Sequence, residues 1–210
     1  FRLVFLTADT AASVKTTADY TVISAWAVTK DHKLLWLDCH RGRWEVPAIL
    51  QAAADDGYQI TKAILTHSHF DHIMCLGELL KTHDIPVHIH KKEEDALEIS
   101  KSAIQAVDAG QVVQVGSLPV TLIHTPGHTP GSQCLLVDGH LLSGDTLFIR
   151  ACGRCDLPGG DPRLLYNSLM TTLQKIDDST KLYPGHNYAP VPTSTIGEEK
   201  DTNPFMRLGS

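Results

Sequence analysis

The sequence predicts an α/β protein in which helices cover sheets. Three observations indicate this class. Apolar, strand-like segments alternate with helix-like segments along the 210 residues. Clusters of polar residues follow the ends of several predicted strands, where such folds place their sites. Hydrophobic residues make up 42% and charged residues 20%, so one domain, or one domain with a short appendage, can form a core.

The first half of the chain is predicted to begin with strands. The Val-, Ile- and Trp-rich segment 21–29 and the segment 33–39 flank polar residues and indicate a β-hairpin. Pro47 favours the first turn of a helix, and Gly57 favours its end. The predicted elements are strands at 1–7, 21–29 and 33–39, a helix at 48–54, a strand at 63–66 and a helix at 75–82.

The second half is predicted to be richer in short strands, separated by turn residues such as Val137-Asp138-Gly139. Leu164, Leu165, Leu169 and Leu173 recur at helical spacing and indicate a helix with one apolar face. The predicted elements are a strand at 87–90, a helix at 91–106, strands at 111–115, 120–124, 133–137 and 140–143, a helix at 163–175, a strand at 181–183 and a helix at 194–200.

The charge balance and the hydropathy exclude several classes. The chain has 18 Lys+Arg and 24 Asp+Glu, and its net charge of -6 is opposite in sign to that of most proteins that bind phosphate backbones. No apolar run approaches the roughly 20 residues that a membrane span needs. The first residues lack a basic segment followed by a long apolar stretch, so we expect no signal peptide and a cytoplasmic location.

The five cysteines indicate no disulfide framework, because they are odd in number and irregularly spaced. Cys152 and Cys155 form a C-x-x-C, but a zinc ribbon needs a second such pair and the sequence has none. The segment Pro158-Gly159-Gly160 indicates a loop rather than the helix start of a thioredoxin-like motif. We therefore interpret both residues as loop cysteines.

The most informative motif is an H-x-H-x-D-H at 67–72, between a predicted buried strand and a helix. Alternate side chains of an extended segment share a face, so His67 and His69 can converge. The turn into the helix directs Asp71 and His72 toward a second point nearby. So many polar side chains in one loop are costly to bury unless metals or hydrogen bonds satisfy them.

Three further candidate ligands follow predicted strands: His128 in T-P-G-H-T-P-G, Asp145 in S-G-D-T and His186 in Y-P-G-H-N. A glycine precedes each of them and permits a sharp turn. Five histidines and two aspartates are donors that zinc accepts, and iron or manganese as well. We expect the remaining histidines to bind no metal, with His88 and His90 at solvent-facing strand positions.

From about residue 57 to 208, these motifs resemble the metallo-β-lactamase fold superfamily. Within it, the chain is similar to the hydroxyacylglutathione hydrolase (glyoxalase II) and persulfide dioxygenase group. The segments that support the resemblance are 66–72, 125–131, 144–148, 152–154, 183–186, 198–200 and 203–205. The resemblance implies an αβ/βα sandwich, here with a non-standard N-terminal hairpin and helix.

The resemblance also implies a role for each donor. The first metal would be bound by His67, His69 and His128, and the second by Asp71, His72 and His186. Asp145 would bridge the two ions, so Asp71 and Asp145 would be catalytic as well as ligating. Two zinc ions would hold a bridging hydroxide that attacks thioesters or activated esters. A thiolate with a solution pKa near 8.5 leaves without much help from an acid, which favours thioesters.

The chain also departs from glyoxalase II. Arg154 supplies the basic residue of the substrate site, but Asp156 stands where a tyrosine would bind glutathione. The C-G-R-x-D segment is more similar to the persulfide dioxygenases, in which His67, His128 and Asp145 would hold a single Fe²⁺. Tyr188 is a second candidate for contact with a small thiol-derived substrate. The sequence alone does not distinguish the glyoxalase II-like hydrolase from the persulfide dioxygenase.

Residues 1–56 resemble the opening of a phage terminase large-subunit nuclease domain, with Asp9 matching its first carboxylate. We therefore consider a chimera in which 1–56 complete the sheet of the catalytic region 57–210, and simple divergence as the alternative. A nucleic-acid-binding or nuclease remnant is therefore a third functional hypothesis, although the rest of the nuclease carboxylate set is missing and we do not expect nuclease activity. Pairing of two chains in a homodimer through an exposed apolar surface is a further expectation.

Overall fold

The computed structural model describes residues 2–9, 21–28, 34–42, 58–73, 76–186 and 188–207. Short helical turns connect several of the elements. The strands are β1 Arg2–Asp9, β2 Thr21–Val28, β3 Leu34–Gly42, β4 Tyr58–Ile60, β5 Ala63–Ile64, β6 Val87–His90, β7 Ile104–Val107, β8 Val112–Val115, β9 Leu118–His124, β10 Gln133–Val137, β11 His140–Gly144, β12 Leu147–Phe148, β13 Ala151–Cys152, β14 Lys181–Pro184 and β15 Ser194–Thr195. The α-helices are α1 Phe70–Ile73, α2 Leu76–Thr82, α3 Pro162–Asn167 and α4 Ile196–Thr202.

The N-terminal strands form a four-stranded sheet in the order β3-β2-β1-β4. The pairing of β2 with β3 is antiparallel, which confirms the strand pair predicted at 21–39. The last strand, β4, runs parallel to β1 and leads directly into β5. The helix predicted at 48–54 lies outside the described residues.

A six-stranded sheet in the order β15-β14-β11-β10-β9-β8 forms the other layer. Its strands bury apolar side chains on both faces, because alternate residues point to opposite sides. Leu142 and Tyr183 face one core cluster, whereas their chain neighbours Leu141 and Leu182 face another. The second cluster lies under α3 and α4. This arrangement confirms the predicted sandwich of sheets and helices.

A smaller parallel sheet, in the order β5-β6-β7, precedes the six-stranded sheet in the chain. The helix predicted at 91–106 is wrong. After β6 the chain forms short 3₁₀ turns at Glu94–Ala96 and Lys101–Ala103, and Ile104–Val107 pairs with β6 as a strand. Glu93 is buried by contacts to two distant loops, which holds this segment in a turn rather than a helix.

The helix predicted at 163–175 is continuous only in part. Asp161 caps α3 by accepting hydrogen bonds from the N–H groups of Arg163 and Leu164, after which the chain passes into a π-type turn at Ser168–Thr172. The Ser168 hydroxyl donates to the carbonyl of Pro126, 2.7 Å away, so this turn contacts the loop that carries His128. Leu164 is 41% exposed and does not share the buried face.

The segment predicted as a helix at 194–200 begins instead with strand β15, and the helix α4 follows it. The Thr195 hydroxyl oxygen accepts a hydrogen bond from the Glu198 N–H and so caps α4. Among the helices in the described ranges, none combines the length and the apolar character that a membrane crossing requires.

Candidate metal centre

The H-x-H-x-D-H motif occupies the loop after β5 and the first turn of α1. Two hydrogen bonds attach this loop to β10: the Gln133 N–H donates to the carbonyl of Thr66, and the Gln133 side chain donates to that of Leu65, at 2.9 and 2.8 Å. His67 is nearly inaccessible at 1% exposure, while His69 is half-buried. The loop therefore buries the imidazole of His67 and leaves that of His69 partly accessible.

The other three donors come from the ends of strands in the six-stranded sheet. His128 lies in the turn between β9 and β10, Asp145 follows β11, and His186 follows β14. The strands β11 and β14 are parallel neighbours, so the residues that follow them meet at one edge. A Cβ at Gly185 would lie 2.6 Å from Oδ1 of Asp145, and only glycine permits this approach.

The structure brings the three imidazoles of the first predicted metal group together. Nδ1 of His69 lies 3.1 Å from Nε2 of His67 and 2.8 Å from Nε2 of His128. The His128 ring is oriented by its Nδ1–H, which donates to the backbone carbonyl of Arg154 at 2.6 Å. With Nδ1 protonated, a neutral His128 directs the lone pair of Nε2 toward the other two rings.

Asp145 lies between the two predicted metal groups. Its Oδ2 is 3.5 Å from Nε2 of His128 and 3.3 Å from Nε2 of His186, and its Oδ1 is 3.3 Å from Nε2 of His72. Oδ2 of Asp71 lies 3.4 Å from Nε2 of His186. All seven predicted ligands therefore form one continuous cluster with Asp145 at its centre.

The environment favours the neutral form of His67 and His69. Burial lowers the pKa of His67 well below its ordinary value, and the neighbouring His72 lowers it further. Burial, and then the nearby His128, also lowers the pKa of His69. Neutral imidazoles offer lone pairs to a cation, which protonated imidazoles cannot do.

The carboxylates of the cluster are held in the ionised form. Burial by itself would raise the pKa of Asp145, but the adjacent imidazoles of His186 and His72 outweigh it, and the pKa lies below its ordinary range. The hydrogen bond from His186 lowers the pKa of Asp71, against the smaller opposing effect of burial. Both groups are thus in the protonation state that metal ligation needs.

The cluster fits divalent cations by a direct observation of the structure. Oδ1 of Asp145 is buried and accepts no hydrogen bond from any described residue, although leaving a buried carboxylate oxygen unsatisfied is costly. Donor atoms within 4.8 Å of one another form three overlapping groups, and two of them are the predicted metal groups: His67, His69 and His128, and Asp71, His72 and His186. The third, His67 with His72 and Asp145, connects them. Nitrogen and oxygen donors in this number suit two ions such as zinc or iron.

The two predicted substrate-binding residues lie at the exposed rim of the cluster. The Arg154 guanidinium donates to both oxygens of Asp156, at 2.7 and 2.8 Å, so part of its hydrogen-bonding capacity is already used. Tyr188 is 61% exposed and stacks on His186, with ring centroids 5.1 Å apart and 10° between the planes. Its ring also meets Phe148 edge-on.

Two buried glutamates support the site, and the sequence predicted no role for either, although Glu199 lies in the segment 198–200 that supports the resemblance. Glu93 connects the loops of His67 and His128. Glu199 is fully buried and accepts hydrogen bonds from the Arg150 N–H, the Ser194 hydroxyl and the Asn203 amide, which attaches α4 to the β12–β13 hairpin before Arg154. Each glutamate has another acidic residue directly beside it in the sequence, so the sequence does not indicate which of them is buried.

The expectation that His88 and His90 face solvent is wrong, because His88 is only partly exposed with its Nε2 buried, and His90 is buried. It is 2% exposed and stacks on His124, with ring centroids 4.1 Å apart and 8° between the planes. Burial, and then His124, lowers the pKa of His90 to about 4. A neutral His90 carries no charge that could repel the ring of His124 in this stack.

The sandwich of layers and the strand-end cluster of histidines and aspartates define a metal-binding hydrolase fold. The family model described as "Metallo-beta-lactamase superfamily" matches residues 29–186, most of the chain, and the protein belongs to this superfamily. Among curated relatives, the probable polyketide biosynthesis zinc-dependent hydrolase PksB of Bacillus subtilis is 27% identical over 165 residues, which are 79% of this chain and 73% of PksB.

Solved structures are also similar to this chain. ETHE1 from Myxococcus xanthus is 34% identical, with a TM-score of 0.68, and the match covers 76% of this chain and 68% of ETHE1. TTHA1623, solved in a di-iron-bound form, is 28% identical, with a TM-score of 0.70, and the match covers 93% of this chain and 98% of that one.

These comparisons give no support to a terminase-like fragment at 1–56. The family model begins at residue 29, well before the boundary proposed at 56. In the structure β1 pairs with β4, a pairing expected both for a chimera that completes the sheet and for simple divergence.

Proposed function

We propose that this protein is a hydrolase of thioesters or related activated esters that works with two divalent ions, zinc in the first instance. The observation that carries the proposal is the position of Asp145, whose carboxylate lies within 3.5 Å of imidazole nitrogens from both groups, namely His128, His72 and His186. A carboxylate shared in this way suits a bridge between two cations at the roughly 3.5–4 Å separation of two-metal sites.

When bound, the two ions supply the Lewis acidity that activates water at neutral pH and polarises a carbonyl group. The chain's own residues set the geometry: His67, His69 and His128 would hold one ion, Asp71, His72 and His186 the other, and Asp145 both. The backbone carbonyl of Arg154 keeps the Nε2 lone pair of His128 directed inward.

The protonation states of the cluster favour thioesters over ordinary esters. The lowered pKa values of His67 and His69 make these imidazoles poor proton donors at neutral pH. A thiolate needs little protonation to leave, since its solution pKa is near 8.5, whereas an alkoxide needs a proton donor. Hydrolysis then yields a carboxylic acid and a thiol. Arg154 and Tyr188, at the rim, would contact the thiol portion.

Metal analysis combined with thiol release tests the proposal. The chain is stripped of metal, reconstituted with Zn²⁺, and assayed with acyl-glutathione and acyl-coenzyme A thioesters and a thiol-detecting dye. We expect close to two zinc per chain and thioester turnover. Asp145→Ala should abolish turnover while the stripped protein keeps its fold by circular dichroism. A doubly loaded chain that hydrolyses no thioester in the panel would refute the proposed activity.

A mononuclear iron persulfide dioxygenase is the second candidate, favoured by the C-G-R-x-D segment at 152–156 and by the likeness to Myxococcus ETHE1. His67, His128 and Asp145 would then supply the 2-His-1-carboxylate set. One iron per chain together with oxygen uptake on glutathione persulfide would select this candidate. Either activity gives the protein a small-molecule partner, and the net charge of -6 disfavours nucleic acid.

A further inference from the structure

A buried carboxylate outside the predicted ligand set joins the two loops that carry His67, His69 and His128. Glu93, in the turn after β6, is 4% exposed. Its Oε2 accepts hydrogen bonds from the Ser68 N–H, at 3.2 Å, and from the Ser68 hydroxyl. Its Oε1 accepts a hydrogen bond from the Gly131 N–H at 2.7 Å. One side chain therefore contacts both loops at once.

The two contact points lie next to the metal-binding positions. Ser68 stands between His67 and His69, so its backbone cannot move without moving both rings. Gly131 lies in the turn that follows His128. The separation of these loops sets the distance between Nδ1 of His69 and Nε2 of His128, which is 2.8 Å.

The fit between Glu93 and the second loop is close. A Cβ at Gly131 would lie 2.4 Å from Cγ and 2.9 Å from Oε1 of Glu93, so the carboxylate packs directly against backbone. Three donors face two carboxylate oxygens, and a carboxylate offers only acceptors. A glutamine would turn an amide N–H₂ toward one of these donors and lose that hydrogen bond.

We propose that Glu93 is a positioning residue for the three-histidine half of the metal centre. It holds the Ser68 and Gly131 loops at the separation at which His67, His69 and His128 converge on one cation. This inference rests on the proposed two-metal function, but it concerns how tightly the chain binds metal and not which substrate it hydrolyses.

The test is the zinc affinity of the full chain, stripped of metal and titrated with Zn²⁺ against a chromogenic chelator. We expect Glu93→Gln to weaken one of the two zinc-binding steps, that of the three-histidine site, by about 10- to 100-fold, the usual effect of removing a group that orients metal ligands. Glu98→Gln is the matched control, because Glu98 is an exposed glutamate in the same connecting segment, and its zinc affinity should equal that of the unsubstituted chain.

A second variant separates positioning from general stability. Ser68→Ala keeps the N–H donor and loses the hydroxyl, so we expect a weaker loss of zinc affinity than in Glu93→Gln. The double variant should be no worse than Glu93→Gln, since Ser68 acts through Glu93. Thermal melting of the metal-free proteins is measured in parallel; a merely structural role would lower the melting temperature and leave the zinc affinity of the folded protein unchanged.

The outcomes are distinct. Unchanged zinc affinity in both Glu93→Gln and Ser68→Ala overturns the positioning role and leaves the proposed function standing. If Glu93→Gln does not fold, Ser68→Ala alone decides, because its expected loss is absent when Glu93 has no positioning role. An unsubstituted chain that binds no zinc or iron overturns the proposed function, and the positioning role with it.

Discussion

Gly153 is a residue at which a single added methyl group would disturb the metal centre. A Cβ at this position would lie 1.8 Å from the backbone oxygen of Asp145 and 3.3 Å from Nδ1 of His128. Contacts of a Cβ below 3.0 Å are essentially never observed, so in Gly153→Ala the two backbones must separate by at least about 1.2 Å. The displaced atoms belong to the residue that connects the two metal groups.

The size of the effect follows from this displacement. Overpacking of a buried, well-packed site costs about 1–3 kcal/mol of folding free energy. A misplacement of about 1 Å in a catalytic constellation costs about 100-fold in rate. We therefore expect Gly153→Ala to lose about two orders of magnitude in kcat/KM for thioester hydrolysis. Urea denaturation of the metal-free protein should show a loss of stability in the range given.

Gly77→Ala is the matched control. Gly77 is exposed in α2, and a Cβ there meets nothing within 4 Å. Alanine is the better helix former by about 1 kcal/mol, so this variant should keep full activity and gain slightly in stability. Full activity and unchanged metal content in Gly153→Ala would refute the claim that the Asp145 backbone is fixed by this contact.

Three other perturbations test the rim, the interior and the support of the site. Asp156→Asn weakens the pairing with Arg154 and frees its guanidinium, so KM for a thioester that bears a carboxylate should fall a few-fold with kcat unchanged; steady-state kinetics measures both. The pKa of His90 is lowered to about 4 in the folded protein, whereas a histidine of the unfolded chain has a pKa of about 6.5. The unfolded chain therefore binds a proton at this position at a higher pH, and the free energy of unfolding falls as the pH drops from about 6.5 to 4. In urea titrations at pH 7 and 4.5, His90→Phe should lose less of this free energy between the two pH values than the unsubstituted protein. Glu199→Gln disturbs three buried hydrogen bonds and should cost about 1–3 kcal/mol by urea denaturation, whereas the exposed Glu198→Gln should cost almost nothing.

The donor residues of the site are predictable from the sequence because they are concentrated in short local patterns. His67, His69, Asp71 and His72 fall within six residues, and each later donor follows a glycine at a strand end. Strand-end loops on neighbouring strands meet at one edge, so local patterns were enough to predict that the seven residues assemble. Their role as ligands stays a prediction that the metal analysis tests.

The incorrect prediction of a helix at 91–106 shows where helix propensity alone does not predict the secondary structure. Its Lys-Glu-Glu-Asp-Ala run suits a helix, but helix propensity is a weak preference that tertiary contacts override. Here two such contacts oppose the helix. The buried Glu93 carboxylate accepts hydrogen bonds from Ser68 and Gly131, and Ile104–Val107 pairs with the parallel strand β6. Likewise, the contact between Ser168 and Pro126 accompanies the π-type turn that interrupts the helix predicted at 163–175.

The residues that give the site its geometry share a property that a single sequence cannot display. Glu93 contacts partners 25 and 38 positions away, and Glu199 contacts the backbone of a residue 49 positions away. Each is one acidic residue among several, and only its burial against donors from distant loops distinguishes it. Because an ionised side chain is costly to bury, these contacts must be satisfied for the loops to stay together. The ligands thus come from recognisable motifs, while their separation depends on carboxylates and glycines between the motifs, and substitutions there should weaken metal binding without removing a single ligand.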